Sequence, residues 1–342
     1  MVNYPYGLSY EIVAESVSMR SLIDDAIKVA KFNIPILLLG ESGTGKEVLA
    51  DVIHANRETS RIGQIVKVNC AEFPDGLLVK ELFGSVRGAY TGSIGTTVGR
   101  IELANNGTLF LDEIQAMPHS TQSSLLRVIN DGSFSLVGSS KKQDSDFRLV
   151  SATSEPIDDL LKKNSLLDPF YWRIAAYTMT LPPLRERYED IVPLANLFLN
   201  RLVREYNLPN VSIHPATIEK MLSYAWPGNV RELKSQIQVA VIKSKDNEIL
   251  PEHLVLKKGA SNPNNIFRSL EEQEKDIVLA VLERARYNVK YATEILDIGR
   301  QTLYNKLEKW NMSHLLTENS RWRRKRGTVS RLKAQSTIPT KY

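Results

Sequence analysis

A glycine-rich loop, Gly40 to Lys46, constrains the fold of this chain more than any other feature of its sequence. The loop directly follows the apolar run Ile34 to Leu39 and precedes Glu47 to Ala55, a segment that reads as a helix. Glycines let such a loop turn its backbone N–H groups around phosphate oxygens, and the next helix directs its positive dipole end at the same anion. We therefore predict a nucleotide-phosphate site in which Lys46 reaches the β- and γ-phosphates. Its residues are Gly40, Glu41, Ser42, Gly43, Thr44, Gly45, Lys46 and Glu47.

Two carboxylates end a second apolar run, Thr108 to Leu111. Asp112 is expected to organise Mg²⁺, and Glu113 to polarise the attacking water as a general base. A pair of acids at the end of a strand is weak evidence alone, but together with the upstream phosphate loop it predicts an ATPase. Because Glu47 stands where a serine or threonine commonly helps to hold magnesium, the metal must rely on other ligands or on water.

Helical and strand-like segments alternate through the first half of the chain. Met19 to Lys31 has a helical apolar period, and short apolar strands are predicted at Ile65 to Asn69, Thr108 to Leu111 and Phe147 to Ala152. This alternation indicates an α/β fold with a parallel sheet. From Ile191 to Leu256 the pattern is helical only, which predicts a smaller α domain.

Composition excludes several classes of protein. Of 342 residues, 42% are hydrophobic and 24% charged, which rules out a disordered chain and predicts two or three domains. One cysteine cannot form an intrachain disulfide, and five scattered histidines show no metal-binding pattern. No apolar run approaches a membrane span, and Met1 to Ser9 does not resemble a secretory signal, so we expect a cytoplasmic protein.

Positive charge is concentrated at the C-terminal end. Residues 257–342 contain 18 lysines and arginines against 9 acidic residues, a net charge of +9, whereas residues 1–256 contain 26 against 30, a net charge of −4. This asymmetry favours a nucleic-acid-binding end, although a solvated basic tail has the same composition.

Eight sequence motifs, in the same order, resemble the NtrC-type AAA+ activators of RNA polymerase carrying sigma-54, also called bacterial enhancer-binding proteins. The resemblance runs from about Ile12 to Met312. The matching segments are Gly40 to Glu47, Val68 to Ala71, Glu81 to Gly84, Gly88 to Ser93, Asn106 to Ile114, Leu125 to Val128, Leu181 to Arg187 and Trp226 to Leu233.

This resemblance implies roles for four further residues. Asn69 matches a switch asparagine that pairs with Glu113, although it could simply cap the end of a strand. Thr153 matches the sensor I segment, and Arg231 the sensor II arginine, which contacts phosphate from the lid; a surface ion pair is the plain alternative for Arg231. Arg173 matches an arginine finger offered to a neighbouring subunit's nucleotide, so the resemblance implies a homo-oligomer, from a dimer up to a hexameric ring.

The segment Gly88, Ala89, Tyr90, Thr91, Gly92 and Ser93 matches the family's loop that contacts sigma-54. Flanking glycines give such a loop freedom to move, and an exposed aromatic side chain suits a hydrophobic contact with a partner. The alternative is that Tyr90 packs against its own domain. A related second loop is expected near Asn130 to Val137.

The sequence departs from the family pattern at three places. The sigma-54 loop has Tyr90 and Ser93 instead of Phe and Ala. Sensor I has Thr153-Ser154 instead of Thr-Asn, so the amide is missing. Leu167 stands in place of the first arginine finger, which predicts slower hydrolysis, by about 10³-fold if that arginine had a full effect. Arg148 is a candidate to compensate.

Near the C-terminus, the spacing of Asn288 to Leu296, a short turn and Arg300 to Trp310 predicts a helix-turn-helix. It resembles the family's Fis-type DNA-binding domain. Leu303, Leu307 and Trp310 are expected in its core. The residues expected to face DNA are Arg300, Gln301, Thr302, Asn305 and Lys306, with Arg300 suited to guanine and Lys306 to phosphate.

The predicted domains are an AAA+ core (9–184), a helical lid (185–256), a linker (257–268), the DNA-binding domain (269–312) and a disordered basic tail (313–342). With no regulatory domain expected before Met19, the chain is either controlled in trans or part of a longer regulator. The resemblance implies an ATP-dependent transcriptional activator that binds upstream DNA and remodels sigma-54 RNA polymerase by ATP hydrolysis. Three rival interpretations remain: a related regulator that binds ATP and DNA without engaging sigma-54, an unrelated AAA+ remodeller, and a DNA-binding protein with an inactive nucleotide fold.

Overall fold

The computed structural model describes residues 11–57, 63–74, 76–88, 95–244, 247–257, 270–285, 287–310 and 312; for 270–273 and 276 only the backbone is described. The chain divides into two compact units, residues 1–262 and 263–342. Within the described residues, no helix is long and apolar enough to cross a membrane.

The first unit begins with alternating helices and strands around one parallel sheet. Its strands are β1 (Ile36–Leu39), β2 (Ile65–Asn69), β3 (Thr108–Asp112), β4 (Ser133–Ser135), β5 (Lys142–Asp144), β6 (Arg148–Thr153) and β7 (Tyr177–Thr180). Its helices over the same segment are α1 (Val17–Val29), α2 (Lys46–Ala55), α3 (Leu77–Phe83), α4 (Arg100–Leu103), α5 (His119–Asp131), α6 (Ile157–Lys162) and α7 (Asp168–Ile174). Five strands pair in the order β2-β3-β6-β1-β7, all parallel, while β4 and β5 form a separate antiparallel hairpin.

Side chains of the sheet alternate between two apolar cores because successive residues of a strand face opposite sides. Leu37, Leu109 and Leu111 pack with α3, α5 and α7 on one face. Leu38 and Phe110 pack with α1 and α2 on the other. Coverage of both faces explains why these strands are almost wholly apolar, and it confirms the predicted α/β fold.

The remainder of the first unit is a helical subdomain, here called the lid, with a short pair of strands. It contains α8 (Ile191–Glu205), β8 (Ser212–Ile213), α9 (Pro215–Ser223), α10 (Asn229–Lys243) and β9 (Glu248–Ile249). The purely helical prediction for Ile191 to Leu256 was therefore wrong in one detail. Two residues on each side of α9 and α10 pair in parallel, and strands this short leave no periodic signal in a sequence.

The described residues of the second unit form three helices, α11 (Leu270–Arg284), α12 (Val289–Leu296) and α13 (Arg300–Lys309). Leu303 and Leu307 are fully buried, and Trp310 packs against the same core, as predicted from their spacing. Asp297 ends α12 in the left-handed conformation and Gly299 precedes α13, so the expected turn separates the two helices. The predicted linker and the tail 313–342 lie almost entirely outside the described residues.

One histidine lies between α2 and the sheet. Nδ1 of His54 is 2.9 Å from the hydroxyl of Thr108, the first residue of β3. Burial lowers the pKa of His54 from 6.5 to about 4, and the nearby charges of Arg57 and Arg148 act in the same direction. His54 is therefore neutral in the folded protein at pH 7. Between pH 6.5 and 4 the unfolded chain binds a proton at this residue that the folded chain does not, so its effect is to lower stability as the pH falls.

We expect the His54→Gln variant to lose less stability on acidification than the wild type. The difference between pH 7 and pH 5 should be about 1 kcal/mol, reduced from the full linkage value because the ring is partly exposed to water. Urea unfolding at the two pH values measures it, with the exposed His119 changed to Gln as a control. An equal loss of stability in wild type and His54→Gln would contradict the assignment.

Candidate active site

The predicted nucleotide site lies where the parallel strands end. In the pairing of β1 with β6, Leu39, the residue before the phosphate loop, lies beside Thr153. In the pairing of β2 with β3, Asn69 lies beside Asp112. The sheet order places β6 between β1 and β3, so four segments that are far apart in the sequence end at one edge. This edge, outside the carboxyl ends of the strands, is where open α/β sheets bind ligands.

The phosphate loop is a tight, glycine-dependent turn. Gly43 and Gly45 have φ angles of 80° and 108°, in the region that favours glycine. A Cβ atom on Gly43 would lie 2.5 Å from the carbonyl oxygen of Gly228, so the lid approaches too closely for any side chain. Gly45 immediately precedes α2, which begins at Lys46.

Lys46 is turned back onto its own loop. Only 5% of the residue is exposed, and Nζ donates to the carbonyl oxygens of Gly40 at 2.8 Å and Glu41 at 3.2 Å. Burial lowers its pKa, while the charges of Asp112 and Glu113 act in the opposite direction. Burial also raises the pKa of Asp112, against the effect of Lys46. One ammonium and two carboxylates therefore influence one another at the edge of the sheet.

The general-base candidate, Glu113, is held by neighbours from two elements. It has a left-handed backbone, with φ at 52°, and its N–H donates to Oδ1 of Asp112 at 2.9 Å. Oε2 of Glu113 accepts a hydrogen bond from the hydroxyl of Ser154 at 2.6 Å, and another from the amide of Gln115. The hydroxyl of Thr153, which is fully buried, donates to Oε1 of Gln115 at 2.7 Å.

One expected contact of this region is not made in the structure. Asn69 does not pair with Glu113: its Oδ1 accepts from the N–H of Ala71 at 3.0 Å, and its amide donates to Glu72 at 3.3 Å. Asn69 thus caps the short helix Cys70–Glu72, the simpler of the two interpretations. Thr153 ends a buried strand and donates to Gln115, and its place in the nucleotide site stays a prediction.

The lid is hydrogen-bonded to the phosphate loop. Asn229, fully buried, donates to Glu41 at 3.1 Å and to the carbonyl oxygen of Ser42 at 3.0 Å, and it accepts from the N–H of Leu184 at 2.7 Å. Arg185 contacts both oxygens of Glu41, at 2.6 and 2.9 Å, and lowers the pKa of that carboxyl. Glu41 therefore binds the lid in this structure.

Arg231, the predicted sensor, also reaches the loop from α10. One of its guanidinium nitrogens donates to the hydroxyl of Ser42 at 2.8 Å. Glu47, at the start of α2, is exposed and pairs with Lys67 at 3.0 Å, away from Lys46. The structure thus brings Arg231 to the phosphate loop, whereas it directs Glu47 to β2.

A cavity of about 410 Å³ adjoins the loop. Its lining is largely apolar and comes from the N-terminal segment, α1, α2 and α8. Arg187 closes one side: it is 3% exposed and donates to the carbonyl oxygen of Thr44. Asp190, fully buried beside it, accepts hydrogen bonds from the backbone N–H groups of Glu15 and Ser16.

Known families and proteins match most of this sequence. Residues 12–180 match the Sigma-54 interaction domain, residues 185–266 the AAA+ ATPase lid domain, and residues 269–310 the Fis family of bacterial regulatory proteins. The regulatory protein AtoC of Escherichia coli is 34% identical over 313 residues, covering 88% of this chain and 68% of AtoC. The chain belongs to the family of sigma-54-dependent AAA+ transcriptional activators.

Two further proteins are similar to most of this chain. The phenol regulator MopR of Acinetobacter guillouiae is 35% identical over 315 residues, which cover 88% of this chain and 56% of MopR. The crystal structure of NtrX from Brucella abortus in complex with ATP has a TM-score of 0.66 and 27% identity, covering 88% of this chain and 69% of NtrX. The chain thus spans between about half and two thirds of the length of these relatives.

Arg173, Leu167 and Arg148, the three residues considered for the arginine-finger role, lie in different surroundings. Arg173, on α7, is exposed, and its guanidinium donates to the carbonyl oxygen of Ile129 at 2.9 Å. Leu167 precedes α7 and packs against the apolar core. Arg148 is 2% exposed and donates to the carbonyl oxygen of Phe32. Arg148 therefore cannot compensate across a subunit interface, because its side chain is enclosed in its own domain.

The family's sigma-54 loop falls mostly outside the described residues. Of its six residues only Gly88 is described, with φ at 80°, whereas Ala89, Tyr90, Thr91, Gly92 and Ser93 are not. The expected second loop, Asn130 to Val137, contains the end of α5 and strand β4 of the hairpin.

The residues predicted to face DNA are exposed in the Fis-type unit, with one exception. Arg300, Gln301, Thr302 and Asn305 are exposed on α13, and the amide of Gln301 donates to Asn305 at 3.0 Å. Lys306 is half-buried and forms an ion pair with Glu274 of α11 at 2.7 Å, so it does not face outward as freely as its neighbours. The contacts of these residues with DNA, including that of Lys306 with phosphate, stay predictions.

Sequence reasoning missed four polar residues of the site. Arg185, Arg187 and Asn229 lie inside segments that carry the family resemblance, so the sequence could have indicated them as site residues. Gln115 had no such signal, since only the folded chain places its amide between Thr153 and Glu113.

We expect Asn229→Ala to weaken ATP binding about tenfold, the size of one lost hydrogen bond, because the lid loses its hold on the phosphate loop. The unfolding free energy should fall by about 2–3 kcal/mol, since the N–H of Leu184 loses a buried partner. Isothermal titration and urea unfolding measure the two effects.

Asn207→Ala is a matched control, since Asn207 has the same left-handed backbone, with φ at 49° against 51°, on the exposed surface of the lid. If ATP affinity and the free energy of unfolding changed equally in both variants, the cause would be backbone conformation. That result would contradict the role assigned to the Asn229 side chain.

Proposed function

We propose that this chain binds and hydrolyses ATP at the edge of its sheet and uses that energy to remodel RNA polymerase carrying sigma-54. One observation carries the proposal: Lys46, at the end of the phosphate loop, and Asp112 and Glu113, at the end of β3, lie at the same edge of the sheet. There the charges of both carboxylates act to raise the pKa of Lys46, and the charge of Lys46 acts to lower that of Asp112. Membership of the sigma-54-dependent activators supports the coupling to sigma-54.

ATP binding would replace the hydrogen bonds that Lys46 makes within the phosphate loop. Nζ of Lys46 would leave the carbonyl oxygens of Gly40 and Glu41 and bind the β- and γ-phosphates. The start of α2 would direct its N–H groups at the same phosphates. The apolar cavity beside Thr44 and Gly45 is of a size and lining suited to the base.

Asp112 suits a magnesium ion. A magnesium ion bound with a nucleotide takes one or two carboxylates together with phosphate oxygens and water. One oxygen of Asp112 accepts the N–H of Glu113, and no described residue donates to the other. Bound there, magnesium would neutralise charge on the β- and γ-phosphates.

Glu113 would take the proton of the attacking water. Arg231 would report the phosphate from the lid, and the exposed Arg173 would serve a neighbouring subunit's nucleotide in a homo-oligomer. With Leu167 packed against the core in place of the first arginine finger, Arg173 would act alone, and we expect slow hydrolysis.

The Fis-type unit would hold the protein on upstream DNA. α13 would enter the major groove, with Arg300, Gln301, Thr302 and Asn305 on its exposed face. Arg300 stands first on this helix, where bidentate contact with guanine is most accessible. Lys306, which pairs with Glu274, stays the predicted phosphate contact.

We expect Lys46→Ala to abolish ATP binding, because the phosphates lose their cation. Glu113→Gln should retain ATP binding but lower kcat by about 10²- to 10⁴-fold, the usual contribution of a general base. Titration of ATP and steady-state phosphate release measure both, with the exposed Glu205 of α8 changed to Gln as a control. Hydrolysis at the wild-type rate in Glu113→Gln would contradict the assignment of the base.

The sigma-54 contact is tested with Tyr90→Ala. Wild type should bind purified sigma-54 in the presence of a transition-state analogue of the γ-phosphate, and Tyr90→Ala should lose this binding while keeping its ATPase activity. Tyr206→Ala is the matched control, since Tyr206 is a tyrosine of the lid that is 62% exposed.

Binding retained by Tyr90→Ala would mean that the contact lies elsewhere. An active ATPase that never binds sigma-54 would favour the rival regulator, which binds ATP and DNA but acts on a different target.

A further inference from the structure

The surroundings of Glu113 contain a residue that neither the sequence motifs nor the family resemblance singled out. Gln115 lies two residues after Glu113, in the short helix Ile114–Ala116, and is half-buried. Its side-chain amide donates to Oε2 of Glu113 and, at 3.1 Å, to the hydroxyl of Ser154. Its carbonyl oxygen accepts the hydroxyl of Thr153 at 2.7 Å. Gln115 thus joins the carboxylate at the end of β3 to the two residues at the end of β6.

The two oxygens of Glu113 are not equivalent in this arrangement. Oε2 accepts hydrogen bonds from both Gln115 and Ser154, whereas no described residue donates to Oε1. A carboxylate held by two donors on one oxygen has a fixed orientation and presents the other oxygen for a ligand.

The carbonyl end of the Gln115 side chain is held by a residue of the sheet, Thr153. Thr153 is fully buried and pairs in register with Leu39, the last residue before the phosphate loop. Thr153 therefore gives Gln115 a hydrogen-bond partner whose position is set by the sheet. The connection requires a side chain long enough to have an acceptor for Thr153 and a donor for Glu113 at the same time, which glutamine satisfies.

We propose that Gln115 is a positioning residue for ATP hydrolysis, which holds Glu113 with Oε2 occupied and Oε1 turned to the attacking water. This inference rests on the proposed ATPase function. Gln115 does not touch the nucleotide; it acts through Glu113, and its loss should affect the chemical step more than substrate binding.

The experiment compares Gln115→Ala and Gln115→Glu with wild type, measuring kcat and KM for ATP and, separately, the Kd for ATP. The alanine variant removes both contacts. The glutamate variant has nearly the same shape and keeps an acceptor for Thr153, but at neutral pH it has no donor for Glu113. We expect kcat to fall about 10- to 100-fold in both, the size of effect that a misplaced catalytic group produces, with KM and Kd within about twofold of wild type.

Gln64→Ala is the control, because Gln64 is an exposed glutamine just before β2 and should leave all three constants unchanged. Thermal unfolding shows whether each variant is folded. A kcat within twofold of wild type in Gln115→Ala would overturn the inference. So would a rise in KM or Kd that accounts for the loss, or full activity in Gln115→Glu.

Failure of this inference can be told apart from failure of the proposed function. If wild type hydrolyses ATP and Glu113→Gln does not, the ATPase assignment holds, and the Gln115 variants test only the positioning role. If wild type hydrolyses no ATP although it binds it, the proposed function fails, and the positioning role fails with it.

Discussion

Parallel backbone pairing of β1 with β6 and β7 is the interaction on which the nucleotide site depends. The phosphate loop, Glu113 and Ser154 each directly follow a strand, so strand register decides how these segments meet. A slip of one residue would turn every side chain of a strand to the opposite face of the sheet. The alternation of apolar residues between two separate cores prevents such a slip, because each core would then receive the other's side chains.

The lid is coupled to the site through polar contacts instead of apolar packing alone. Glu41 and Ser42 of the phosphate loop receive hydrogen bonds from Arg185, Asn229 and Arg231. Charged and directional contacts of this kind can exchange partners when a phosphate arrives, whereas a packed apolar interface resists rearrangement. The lid is therefore well placed to respond to the state of the nucleotide.

A second connection runs from the lid to the N-terminal segment. Asp190 accepts hydrogen bonds from the backbone of Glu15 and Ser16 and also from the hydroxyl of Ser16. Arg187 lies beside this carboxylate, at 3.9 Å, and donates to Thr44 of the phosphate loop. Removing either charge would leave the other buried, which is costly, so the pair and its hydrogen bonds act as one unit.

The sequence by itself determined the α/β class, the phosphate loop, the paired acids at the end of β3 and the helix-turn-helix core, because local periodicity and short motifs encode these features. It could not settle the alternatives for Asn69, nor the surroundings of Arg148 and Lys306, because helix and strand patterns give the face of a side chain but not its partner. Ser154 lacks the expected amide, and an amide reaches Glu113 from Gln115 instead. Only the tertiary structure decided this, since the meeting of β3 and β6 depends on the register of strands distant in the sequence.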